Sequence, residues 1–207
     1  MDIFYSILLV MSAFWLGACP FSVWLGRRLL GKNITDFGDG NPGATNVFRA
    51  GDIKTGLLAL FLDVAKGVPF VLIAHSVLEL PELVIMAVGF STILGHAFSP
   101  MLRFKGGKAT AVTFGVLLAL PQPEILFAFA FFIFLGFLFI ESDAWTVMLG
   151  PIGSLTYLSF TKGGSWESLF MLCVLVLFLL KQYDGLKTIP RFRVKLIHWF
   201  YSRKRET

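Results

Sequence analysis

Across its 207 residues the chain is 56% hydrophobic and 15% charged, with 23 phenylalanines and a mean hydropathy of +0.76, more apolar than a water-soluble domain of this length. Its formal net charge of +5 is concentrated in a few segments, while the apolar residues run in long blocks and not in the interrupted stripes of an amphipathic surface helix. These features exclude a soluble globular domain; lipid is the expected solvent, and no nucleic-acid partner is expected.

Met1 and Asp2 precede the first apolar block without a basic leader or a small-residue cleavage site, so that block is expected to stay in the protein as a span. A helix needs about 20 apolar residues to cross the hydrocarbon, fewer where protein flanks it or the bilayer thins. Seven blocks are candidates: 3–25, 56–78, 83–98, 109–120, 125–140, 145–160 and 168–180. The expectation is an all-α membrane protein of about seven transmembrane helices, forming one integral membrane domain over residues 1–207.

Sorting the 18 Lys and Arg onto alternate faces of this arrangement gives a strong asymmetry. One face takes Arg27, Arg28, Lys32, Arg49 and Lys54 in loop 26–55, then Arg103, Lys105 and Lys108 in loop 99–108, then all the cations of the tail 181–207. The other takes only Lys162, beside Asp2, Glu79, Glu82, Glu124 and Glu167, and Lys66 falls inside the second block. Cytoplasmic loops collect positive charge, so the N-terminus is expected outside and the tail in the cytoplasm, as in a multi-pass protein of the cell inner membrane. The basic tail is also suited to anionic lipid. Short loops such as Leu80-Pro81-Glu82 and Pro121-Gln122-Pro123 read as plain connectors. Cys19 and Cys173 lie in apolar blocks and suggest neither a disulfide nor a metal site.

The chemistry-bearing residues gather in the two long inner loops. Residues 38–49, GDGNPGATNVFR, can converge main-chain N–H groups on an anion, with donors from Asn41, Thr45 and Asn46 and a forked guanidinium from Arg49. The bland alternative is an Asn/Gly-rich surface turn. Residues 95–108, GHAFSPMLRFKGGK, run directly into a span: Gly106 and Gly107 allow close approach of a phosphate, Lys105 and Lys108 neutralise it, and the next helix presents its N-terminal dipole. The P-loop spacing is absent. His96 is a candidate base or phosphate donor, against an ordinary interfacial role. Asp63 and Lys66, an i,i+3 pair inside the second block, must neutralise each other or face a polar cavity, where Lys66 would add a phosphate-binding cation. Two phosphate-friendly loops on one face suit acyl or phosphoryl transfer between two phosphorylated species, one of them lipidic.

These residues resemble the bacterial glycerol-3-phosphate acyltransferases of the PlsY type. The resemblance rests on GNPGATNVFR (40–49), LDVAKG (62–67) and GHAFSPMLRFKGGKATAVTFG (95–115), in order and in the matching loops. It implies seven transmembrane helices, an outside N-terminus, a cytoplasm-facing active site, and transfer of a fatty acyl group from acyl phosphate to glycerol 3-phosphate, giving lysophosphatidic acid. It implies no metal or cofactor, membrane lipid as surroundings, and the soluble acyl-phosphate-forming enzyme PlsX as partner. Asn41, Thr45, Asn46 and Arg49 would line one phosphate pocket, and Lys105, Gly106, Gly107 and Lys108 would cradle the second phosphate. Asp39 stands where the family pattern has serine; a carboxylate there can accept the hydroxyl proton, as a catalytic residue, or stand as a blocking charge that repels phosphate. The pattern's third motif keeps Lys181 but has Gln182, Tyr183 and Gly185 in place of histidine, arginine and asparagine, and Trp145 and Met148 stand where an arginine and a serine are usual.

Two other readings remain at this level: a relative retasked to bind a phosphorylated lipid without turnover, and a small transporter, whose spans should carry more mid-membrane polar residues than Asp63 and Lys66. The His and Asp separated by four residues that acyl-CoA-dependent acyltransferases commonly carry is absent, since His75, His96 and His198 lead at that spacing to Leu80, Met101 and Arg203.

Overall fold

The computed structural model describes residues 3–193; the expected outside N-terminus and the tail beyond residue 193 lie outside them. Every apolar block is helical. Helices α1 (Ile3–Ala18), α2 (Phe21–Leu29), α3 (Ala44–Ala50), α4 (Ile53–Ala65), α5 (Pro69–Leu72), α6 (Glu82–Ala97) and α7 (Thr110–Ala119) belong to a first compact unit. Helices α8 (Pro123–Phe139), α9 (Asp143–Thr161) and α10 (Trp166–Leu186) make up the second. Among the described residues, four helical stretches are long and apolar enough to cross a membrane: Ile3–Leu29, Ile53–Val77, Glu82–Leu102 and Trp166–Leu186.

The third ends in a separate 3-10 turn at Pro100–Leu102, past α6, and the first two are broken within their apolar length. Pro20 has no N–H to donate and ends α1, and the chain resumes as α2 after Phe21 donates its N–H to the Cys19 carbonyl at 3.1 Å. In the second, α4 stops at Lys66–Gly67, and Pro69 opens α5, which runs into a π-helical turn over Ile73–Val77 closed by Leu78 N–H to the Ile73 carbonyl at 2.9 Å. Breaks in lipid free carbonyls that water cannot satisfy, so side chains must.

The first unit is assembled through glycine. A Cβ on Gly17 would run into the Thr92 main chain and one on Gly95 into that of Phe14, so α1 and α6 meet backbone to backbone; Gly67 and Gly115 do the same for α4 and α7. At the end of the unit that carries loop 26–55, Val23, Ile34, Ala44, Val47, Ala50 and Ala59 form a buried cluster, with Phe37 and Leu102 packed on it. Lys32 Nζ donates to the Ala50 carbonyl at 2.6 Å, and Asp52 caps α4 by accepting Thr55 N–H at 2.9 Å. The loop that reads as a turn-rich segment in sequence is therefore anchored on a core of its own, with α3 inside it.

In the second unit Phe129 of α8 meets Phe178 of α10 edge to face at 6.2 Å, and the tight places of Gly136 and Gly153 bring α9 against α8. Lys162, after α9, pairs with Glu124 at 2.8 Å and Glu167 at 2.9 Å, which raises the Lys162 pKa through those two hydrogen bonds. At the opposite end the chain leaving α10 returns to the α8–α9 connection, with Glu141 N–H on the Arg191 carbonyl and Arg193 N–H on that of Phe139, both at 2.9 Å.

Candidate active site

Both inner loops of the first unit arrive at one place. Lys108 Nζ lies 2.7 Å from Asp39 Oδ2, joining loop 99–108 to loop 26–55. Asp39 Oδ1 accepts the Asn46 side-chain amide at 3.0 Å and the Asn41 main-chain N–H at 3.2 Å. The same Asn46 amide donates to the Asn41 carbonyl at 2.9 Å, and its oxygen accepts from Arg49 at 3.1 Å. Arg49 is itself 3.8 Å from Asp39, too long for a hydrogen bond but close enough for the charges to interact. Asn46 and Arg49 are three residues apart on α3 and share a face, which is why a helix of seven residues suffices to aim both.

The cluster needs the local backbone it has. Gly38 has φ +58°, and a Cβ there would strike the Arg49 guanidinium and the Asn46 amide, so only glycine lets both side chains close over the turn. The loop carrying Lys108 holds three non-glycine residues in the left-handed region: Arg103, Phe104 and Ala109, at φ +53°, +62° and +66°. Such conformations cost on the order of 1 kcal/mol or more each and persist where the surroundings fix them. Asp39 is 42% exposed and Lys108 31%, a water-accessible pair. Burial pushes the Asp39 carboxyl pKa up, but the Lys108 hydrogen bond and charge, with the Asn41 and Asn46 donors, outweigh it and hold the pKa below its ordinary value.

A second polar cluster lies in the interior of the same unit. Asp63 accepts Ser22 Oγ at 2.6 Å and Lys66 Nζ at 2.9 Å, and His96 Nδ1 stands 3.8 Å away. Lys66 also donates to the Cys19 carbonyl at 2.9 Å, and Ser99 Oγ to that of Ala18 at 2.5 Å, so side chains serve both carbonyls next to the Pro20 break. A small cavity runs from this cluster to the loops, bounded by Lys66, His96, Pro42 and Gly107 among others. Gly106 and Gly107 pack on His96: Gly107 N–H donates to the His96 carbonyl at 3.0 Å, and a Cβ on Gly106 would meet that carbonyl, one on Gly107 the imidazole.

Of the residues expected from sequence, the structure gathers Asp39, Asn41, Asn46, Arg49 and Lys108, and puts Lys66, His96 and Gly107 around the inner cavity. Thr45 and Lys105 are exposed and, within residues 3–193, neither side chain is held by a hydrogen bond or an ion pair. Sequence reasoning missed Ser22, Ser99 and the Cys19 carbonyl; the signal that could have found them is Pro20 inside an apolar block, facing an Asp and a Lys that need partners.

Residues 7–191 match the profile of a family described as glycerol-3-phosphate acyltransferase. A glycerol-3-phosphate acyltransferase of Streptococcus equi subsp. zooepidemicus is 31% identical over 205 aligned residues covering 93% of each chain, and one of Lactococcus lactis 32% identical over 198, covering 92% of each. A shorter match, to the protein of that description from Geotalea daltonii, reaches 40% identity over 62% of this chain and 66% of that one. Among solved structures the fold is similar to PlsY, an integral membrane glycerol 3-phosphate acyltransferase, in its glycerol 3-phosphate form (TM-score 0.80) and its lysophosphatidic acid form (TM-score 0.77). Each shares 27% identity and covers 88% of this chain and 90% of the other. Likeness that extends through sequence and tertiary structure over almost the whole length does not favour the transporter and retasked readings: the chain belongs to the glycerol-3-phosphate acyltransferase family.

Proposed function

We propose that this acyltransferase moves a fatty acyl group from acyl phosphate to the sn-1 hydroxyl of glycerol 3-phosphate at the Asp39, Arg49 and Lys108 cluster, forming lysophosphatidic acid for phospholipid synthesis. The observation that carries this siting is the 2.7 Å meeting of Lys108 and Asp39 across two loops, with Arg49 beside them. In the reaction the acceptor oxygen bonds to the acyl carbon, the bond from that carbon to the phosphate oxygen breaks, and the hydroxyl proton ends on the departing phosphate. In this reading Asp39 carries that proton across. Its depressed pKa makes it a weak base at rest, but a phosphate that draws Lys108 away raises it at the moment it is needed. Arg49 and Lys108 neutralise phosphate charge, and two positioned substrates need no covalent enzyme intermediate.

Asn41 and Thr45 supply donors to one phosphate, and Lys105 with the Gly106-Gly107 main chain borders the second; Asn46, expected from sequence as a further donor, is buried with both amide N–H groups given to Asp39 and the Asn41 carbonyl, and positions Asp39 and Arg49 instead. Lys66 and His96 line the small inner cavity that Pro42 and Gly107 also bound. No cofactor enters this scheme. Purified protein in lipid, given labelled glycerol 3-phosphate, should form lysophosphatidic acid from acyl phosphate; no product, or product from acyl-CoA alone, sinks the reading. The soluble acyl-phosphate-forming enzyme PlsX is the proposed source of donor, and mixing it with the membrane protein should shorten the lag to product.

The same reading places one domain, residues 1–207, in the inner membrane, with seven crossings, the N-terminus outside, and loops 26–55, 99–108 and the tail in the cytoplasm. Two facts support alternate connections sharing a side: the 139–141 segment pairs with 191–193, and Lys162 pairs with both Glu124 and Glu167. The distribution of Lys and Arg supports the direction. Reporter fusions after Arg49, Lys108 and Lys187 should all report the cytoplasm, and a periplasmic signal from any one breaks the arrangement.

A further inference from the structure

We infer that Asp39 is a resident counter-ion, seated on Lys108 where a substrate phosphate must bind, so that phosphate enters the site by exchange with the protein's own carboxylate. This rests on the reading of the cluster as a phosphate site and says how that site is kept before substrate arrives. The two carboxylate oxygens are held differently. Oδ1 accepts the Asn41 N–H and the Asn46 amide and lies nearer Arg49, while Oδ2 is held by Lys108, at 2.7 Å. Moving the Lys108 ammonium off Oδ2 therefore leaves the Asn41 and Asn46 contacts to Oδ1 in place.

Charge makes the exchange necessary. Arg49, on α3, and Lys108, from the loop before α7, bring two positive charges to Asp39. A phosphate oxygen and Asp39 Oδ2 cannot share the Lys108 ammonium at hydrogen-bond distance without placing two anions against each other. Both partners are exposed enough for water to assist the exchange, at 42% and 31%. Gly38 and Gly40, at φ +58° and +72°, lie on either side of Asp39, so the turn presenting it is built from two residues free to occupy that region.

The opposite view is that Asp39 organises the loop, its acceptor holding Asn46 and, through it, Arg49 in place. The two views predict opposite signs for the same variants. Inorganic phosphate binding is to be measured calorimetrically on the full chain in lipid nanodiscs, with no acyl donor, for wild type, Asp39→Asn and Asp39→Ser. Exchange predicts a dissociation constant lower by about tenfold in both variants, the order of one charge-assisted hydrogen bond no longer displaced. Adding Lys108→Ala to Asp39→Asn should erase the gain. Unchanged or weaker phosphate binding in Asp39→Asn overturns the inference, as does a gain that survives Lys108→Ala. A parallel acyl-transfer assay separates the two claims: wild-type protein without turnover, but with the phosphate gain intact, defeats the assigned reaction and upholds the exchange.

Discussion

The first unit contains two Lys–Asp pairs of nearly equal length, Lys108–Asp39 at 2.7 Å and Lys66–Asp63 at 2.9 Å, with opposite surroundings. In the first, the side chains keep 31% and 42% of their exposure; in the second, 1% and 3%. The buried pair spends its remaining bonding capacity on Ser22 and on the Cys19 carbonyl, closing a helix break that lipid cannot solvate. The exposed pair has water as an alternative partner on both sides, which makes it exchangeable. Distance alone does not separate a structural ion pair from a functional one; what else each charge must satisfy does.

The largest expected effect comes from breaking the buried pair. Asp63→Ala leaves Lys66 without its counter-charge and should cost about 3–5 kcal/mol, read as a large fall in the unfolding midpoint in detergent. Asp63→Leu combined with Lys66→Met should be milder than either single change, and single variants as stable as wild type would show that the pair does not hold the break together. At the exposed pair the pattern inverts. Lys108→Ala or Arg49→Ala should weaken glycerol 3-phosphate binding by about 1.5–3 kcal/mol, roughly ten- to a hundredfold, with little change in the unfolding midpoint. A stability loss with unchanged affinity would erase the contrast.

Between the clusters stand the two glycines on His96. Gly106→Ala directs its methyl at a main-chain carbonyl that cannot move aside, while Gly107→Ala meets an imidazole that can turn. The first should cost on the order of 1–3 kcal/mol and the second less, an order that thermal unfolding of the pair tests directly.

The smallest effect is the pH dependence of the Asp39 link. Because its folded pKa is depressed, the link contributes stability above the unfolded value, near pH 4, and loses it as pH falls through the still lower folded value. Exposure keeps the contribution under about 1 kcal/mol. The stability difference between wild type and Asp39→Asn should therefore stay flat from about pH 5 to pH 8 and close only below about pH 4. A difference that changes across neutral pH would point to another group.

The sequence by itself determined which apolar segments are helical, which segments collect positive charge, and which residues among them are candidates for chemistry. Each of these is a property of a single residue or of a short window: an apolar side chain prefers hydrocarbon wherever it sits, and a glycine relaxes its own turn. It even marked Asp63 and Lys66 as a pair, because three residues apart on a helix they meet without help from the rest of the fold. What only the tertiary structure decided was the partners of each charge. Asp63 meets Ser22 from 41 residues away, and Lys66 reaches Cys19 from 47. Gly106 and Gly107, phosphate-friendly in sequence, also make room for His96, and Asp39, ambiguous between two glycines, finds Lys108 in another loop. Those outcomes depend on where separate helices come to rest against one another, a relation between distant segments that no local pattern of residues encodes.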